Sequence, residues 1–169
     1  MDKKYRTVEE AVNAVCGEAS ALACAGVDSG IGGPFGAGII RLGDDGSYHA
    51  VSIACNTVIR DNDPTAHAEM NAIRMASSKL HSKFLDDCIL VTTAKSCPMC
   101  LAAACWARIP RIYYSEDYDE ATTSGFRDDS ISQYIKGTNP ELIEEVRQKN
   151  PVCAEPFVRW NAKDDRIQY

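Results

Sequence analysis

His67-Ala68-Glu69 and, thirty positions on, Cys97-Pro98-Met99-Cys100 are the side chains in this sequence best equipped for chemistry. Two thiolates and one neutral imidazole suit Zn²⁺ and cancel its charge, and three protein ligands leave the fourth tetrahedral position for water or hydroxide. Zinc lowers the pKa of such a water toward about 7, so a nucleophile becomes available at neutral pH. Glu69 stands two residues from His67, a poor spacing for two ligands on one helical face. It suits one ligand plus a carboxylate that moves protons to and from a metal-activated water. The candidate metal ligands are therefore His67, Cys97 and Cys100, holding one zinc per chain, with Glu69 as the proton shuttle. A Cys-x-x-Cys taken alone also fits a redox pair or half of a structural zinc knuckle. Cys88 or Cys105 could then be a further ligand, but neither has a second ligand pair around it. His49 and His81 read as structural or exposed.

These groups need elements to hold them. Cys97 and Cys100, three apart, share a face of a helix, and Pro98 suits its first turn, so a helix is expected to about Ala107. Thiolates at a helix start are stabilised by free N–H groups and the positive dipole end. A second helix, roughly Ala66 to Ser78, follows the Asp61–Thr65 loop. Thr7-Val8-Glu9-Glu10 forms a capping box, and Val8, Ala11, Val12, Val15, Ala19 and Leu22 continue at helical spacing until Gly26 and Gly30. Ala37–Leu42 and Tyr48–Ala54 read as strands joined by the Gly43–Gly46 turn. Cys88–Thr93 and Arg111–Ser115 are further strands. Asn139-Pro140-Glu141 opens an expected charged helix to about Gln148, and Pro151–Tyr169 gives no clear pattern. The alternation indicates an α/β domain.

At 169 residues the chain suits one domain. Its net charge of −6 argues against a nucleic-acid partner, since phosphate binding relies on clustered Lys and Arg. The N-terminus has no apolar signal core and no membrane-length apolar run follows, so a soluble cytoplasmic protein is expected. Eight cysteines are then expected as thiols, most of them small buried residues.

His-x-Glu followed by Cys-x-x-Cys is the signature of zinc deaminases acting on bases, and the sequence resembles the cytidine deaminase superfamily. The resemblance implies a three-layer fold, a mixed five-stranded sheet with helices on both faces, and zinc between two helix starts. Gly30–Ala37, Asn62–Glu69, Cys97–Cys100, Trp106-Ala107-Arg108 and Gly125-Phe126 resemble more closely the bacterial-type guanine deaminases, from about Val8 to Ser130.

That branch implies the deamination of guanine to xanthine. It implies an amide at Asn56 bonding a purine ring, an aromatic at Phe35 packing on the base, a second carboxylate at Asp128, and Trp106 as a pocket wall. It also implies a homodimer in which the C-terminal segment, here 151–169, crosses to close the other subunit's pocket and brings Tyr169 toward the base. Two departures stand out. Lys95-Ser96 replaces the family's Glu-Pro before the first cysteine. Arg127 interrupts its Phe-Asp-Asp, which leaves Asp128 and Asp129 both open as the second carboxylate. Asn56 as a turn residue, Asp128 as a helix cap and Phe35 as core are the structural alternatives. Guanosine, cytosine or an aminated triazine as substrate, adenosine in transfer RNA, and a structural zinc protein are the functional ones.

Overall fold

The computed structural model describes residues 3–126, 128–148 and 150–167. Helix α1 (Val8–Asp28) starts where Thr7 Oγ1 accepts from the Glu10 N–H at 3.1 Å. Glu10 reaches back to the Arg6 N–H at 2.9 Å, so both ends of the cap are satisfied. The short strand β1 (Lys4–Tyr5) precedes it. Strands β2 (Gly36–Leu42) and β3 (Tyr48–Cys55) form the expected hairpin, with Gly46 at φ 76° in its turn, where a side chain would be strained.

Helix α2 (Val58–Asp61), α3 (Ala68–Leu80), strand β4 (Cys88–Ala94), α4 (Pro98–Trp106) and β5 (Arg111–Glu116) follow. The sheet order is β1-β3-β2-β4-β5. β2 is antiparallel to both β3 and β4, and β4 is parallel to β5 with α4 as the crossover. The mixed five-stranded sheet thus carries α1 on one face, where Val15 packs with Ile40 and Val91, and α3 and α4 on the other, around Ile39, Leu85 and Leu90. Ala68, Ala72 and Ala76, spaced by four, are fully buried, so α3 lies close against the sheet.

Because β2 runs against both neighbours, β3 and β4 are parallel to each other. Their carboxyl ends therefore emerge at the same edge as the start of β2. The starts of α3 and α4 return to that edge, the usual place for a ligand in an α/β sheet.

Later elements depart from the sequence reading. The expected helix from Asn139 to Gln148 is a single 3₁₀ turn, Pro140–Leu142, followed by irregular chain. Ile143 and Val146 are 58% and 75% exposed, and a helix of that length holds only when its apolar face is packed. Helices α5 (Tyr118–Thr123), α6 (Asp128–Ile135) and α7 (Glu155–Ala162) stand where no periodic pattern announced them. Among the described residues, no helix is long and apolar enough to cross a membrane.

Candidate active site

His67 is the N-cap of α3 and Cys97 the N-cap of α4, each in extended backbone with no side-chain cap bond. Their side chains are thereby free to turn toward each other across the sheet edge. Nδ1 of His67 lies 3.6 Å from Sγ of Cys97 and 3.6 Å from Sγ of Cys100. The three donor atoms lie within 4.8 Å of one another. Tetrahedral zinc with ordinary Zn–N and Zn–S bonds would set N···S at about 3.5 Å, so these residues fit the ion. The chemistry of the donor set agrees. The Cys100 thiol and His67 hold the Cys97 thiol down to about 4, while the hydrogen bond with Cys97, then burial, push Cys100 upward. The Cys97 interaction raises His67 as well. Two sulfurs and an imidazole pressed together resist a second negative charge, and a divalent cation removes that conflict.

Cys88 starts β4, at the opposite end of the strand from Cys97, and burial pushes its thiol up to about 12. Cys105 is exposed near the end of α4. Among the described residues, the ligand-type cluster is these three, as a site with one open position requires. His49 closes the β2–β3 hairpin with Ser47 and Asp45, and His81 caps α3 in left-handed backbone, φ 50°.

The cluster opens into a cleft of about 340 Å³ lined by Asn56, Glu69, Lys95, Phe126 and Asp128 among others, at the small end of the usual ligand-pocket range. Glu69 is 7% exposed, and burial raises its carboxyl above the usual range. A carboxyl so placed exchanges protons closer to neutrality. Asp128, the first residue of α6, also lines the cleft and is raised by burial and then by the Cys97 charge. Asp129 is exposed and lines a separate groove with Pro98 and Leu101.

Asn56 is 5% exposed. Its Oδ1 accepts from the Gly33 N–H at 3.1 Å and the Val58 N–H at 3.2 Å. That fixes which end of the amide is which and leaves the NH₂ group as its donor for a ligand. A Cβ on Gly32 would stand 2.0 Å from the Asn56 carbonyl oxygen, so the loop must carry glycine there. Phe35 meets Phe126 edge-on, with ring centres 4.7 Å apart and planes at 75°. Phe126, Val58, Ile59 and Pro64 also line the cleft. The sequence offers no signal that assigns a role to Phe126 or an element to Val58–Asp61.

The structure does not bring Trp106 to this cleft. It stands nine residues after Cys97, two and a half turns and about 13 Å along the axis, and is 69% exposed. The expectation of a pocket wall therefore has no support within this chain. Tyr169 lies outside the described residues, as does Arg127.

A three-ligand zinc-binding cluster at paired helix starts, beside a buried carboxyl in a cleft, defines a zinc-dependent aminohydrolase. Residues 9–116 match the cytidine and deoxycytidylate deaminase zinc-binding region, and the chain belongs to that family. It is 47% identical over 149 residues, 88% of this chain and 92% of the other, to the guanine deaminase of Bacillus subtilis. The X-ray structure of a Bacillus subtilis guanine deaminase superposes with a TM-score of 0.83 at 38% identity, covering 93% of this chain and 98% of that one. A tRNA-specific adenosine deaminase of Aquifex aeolicus is 40% identical over 82 residues, 48% of this chain and 51% of that protein.

Proposed function

We propose that this enzyme hydrolyses guanine to xanthine and ammonia. The observation that carries the reading is the likeness to a guanine deaminase over 88% of this chain and 92% of that one. The likeness to tRNA adenosine deaminases is shorter, 48% of this chain for the Aquifex aeolicus protein and 62% for that of Haemophilus influenzae. A net charge of −6 is also a poor match for a transfer-RNA substrate.

His67, Cys97 and Cys100 would hold the zinc. When bound, zinc supplies Lewis acidity that makes water acidic enough to attack at neutral pH. The chain's own residues then move the protons. Glu69 takes a proton from the attacking water and passes it to the adjacent ring nitrogen as oxygen adds at C2. It takes the second proton from that oxygen and delivers it to the amino group. The C2–N bond breaks, ammonia leaves, and C2 keeps the oxygen as a carbonyl. One water is consumed and one ammonia released per turnover. Asp128 receives the exocyclic amine as the second carboxylate. The Asn56 NH₂ group donates to the ring edge, and Phe35 packs on the base.

The working unit is a homodimer of single-domain chains with one zinc each. Support comes from apolar side chains that stay exposed among the described residues. Phe157 and Val158 of α7 are 71% and 60% exposed, and Leu101 on α4 is 50% exposed. The segment 151–169 would cross to the partner and bring Tyr169 to its cleft. Thiols without disulfides agree with a cytoplasmic setting. The reading is tested by following guanine to xanthine with metal-depleted and zinc-reloaded protein. Turnover should vanish with the metal and return with one zinc per chain. Activity that survives full metal removal would end the proposal.

A further inference from the structure

Asn71 has no part in the proposed proton path, yet it joins the two segments that carry the site. It stands on α3, one turn after His67, and its N–H donates to the His67 carbonyl at 3.0 Å. Its side chain reaches to the chain on either side of Asn56. Nδ2 donates to the Cys55 carbonyl at 3.0 Å and to Oγ1 of Thr57 at 2.9 Å. The Ala66 carbonyl lies 3.4 Å from the same nitrogen. Asn71 is therefore bonded to the residue before Asn56 and to the residue after it.

The donor and acceptor roles in this clamp are fixed. Cys55 and Ala66 offer carbonyl oxygens, which only accept. Thr57 gives its hydroxyl proton to Oδ2 of Asp61, at 2.6 Å, so toward Asn71 its oxygen accepts. The end of the Asn71 amide that faces all three is the NH₂ group. Thr57 is 5% exposed, so little water competes for its bonds. Its N–H adds a backbone tie to the Ala66 carbonyl at 3.0 Å. The bonds from Oδ1 of Asn56 to Gly33 and Val58 orient that amide within its own loop. The Asn71 clamp and the Thr57–Ala66 bond set how far the loop stands from the start of α3, where His67 and Glu69 sit.

Resting on the guanine reading above, in which the Asn56 NH₂ group meets the ring edge, we propose that Asn71 is a positioning residue. It holds the amide that recognises the ring at a fixed distance from the metal ligands and the proton shuttle. The bound ring then presents its amino-bearing carbon to both. A misplacement of about 1 Å can cost about 10²-fold in rate, so loosening the clamp acts on turnover more than on binding.

The test is a double-mutant cycle on zinc-loaded protein, with guanine as substrate and zinc content measured in every variant. Asn71→Ala should keep its zinc and lower kcat by about tenfold, with KM changed by less than about twofold. In Asn56→Asp, which lacks the NH₂ donor, the further change Asn71→Ala should cost less than about twofold, because the group it positions is already gone. A packing role alone would make the two losses multiply. Thr57→Val is near in shape, removes one acceptor and keeps the Cys55 bond, and it gives a second cycle should Asn71→Ala fail to fold. It should lower kcat by about threefold and likewise add little in Asn56→Asp. Losses that multiply in either cycle, or zinc lost from Asn71→Ala, overturn the proposal. Wild-type protein that releases no ammonia from guanine removes the guanine reading and this inference with it. Ammonia release by the wild type with multiplying losses removes the Asn71 inference alone.

Discussion

Nδ1 of His67 lies 3.6 Å from Sγ of Cys100, although thirty-three residues separate them along the chain. The sheet makes this meeting possible. β3 and β4 run the same way, so the helices that follow them begin side by side, each opening with a ligand. Glu69, two residues into this arrangement, is carried by α3 into the same buried corner.

Glu69→Gln should retain zinc and lose turnover by about 10²–10⁴-fold, the usual worth of a general acid–base group. The amide fills the same space but cannot accept and return a proton. Steady-state kinetics beside elemental analysis checks this. Retention of more than about a tenth of wild-type kcat would remove Glu69 from the proton path.

The two neighbouring aspartates should separate. Asp128→Asn is expected to lower kcat/KM by at least about tenfold, near 1.4 kcal/mol of transition-state stabilisation. Asp129→Asn, outside the cleft, is expected to change it less than about twofold. The reverse ranking would move the second carboxylate to Asp129.

At Asn56 the acceptor and donor roles can be parted. Asn56→Ala leaves the Gly33 and Val58 N–H groups without their acceptor, at about 1–3 kcal/mol in stability, and removes the donor too. Asn56→Asp keeps both backbone bonds and puts a carboxylate oxygen in place of the NH₂ donor. We expect Asn56→Ala to lower Tm and turnover together. Asn56→Asp should keep the zinc and lose guanine kcat/KM by about tenfold or more. Wild-type kinetics in Asn56→Asp would leave the amide a structural role alone.

The tail prediction concerns the partner. Deleting Arg166 through Tyr169 should leave zinc content unchanged and lower kcat/KM by at least about tenfold, as loss of a closing segment would. Gel filtration should report a dimer for the full chain. A monomer, or a truncated protein with normal kinetics, would sink the crossed tail without touching the zinc chemistry.

Much of this was legible from residue types and spacing. Thr7 and Glu10 marked the start of α1, Pro98 marked α4, and alternation around Gly43–Gly46 marked the hairpin. His67, Cys97 and Cys100 stood out because few other patterns bring two thiols and an imidazole to helix starts. The choice between Asp128 and Asp129 was not legible, since one step along a helix turns a side chain by about 100° and nothing local sets the phase. Val58 and Ile59 were missed because α2 is a single turn, too short for a period to show. Residues 139–148 misled because helix-forming residues there have no surface to pack against, as exposed Ile143 and Val146 show. Trp106 was placed by its company in a motif, whereas its position on α4 turns it away from the cleft.

The most direct test of the central claim is ammonia release from guanine, guanosine, cytosine and adenine, at equal concentrations, by zinc-replete protein. The account predicts that guanine is the best substrate, with xanthine formed in step with ammonia. Robust release from cytosine or adenine with none from guanine would contradict it.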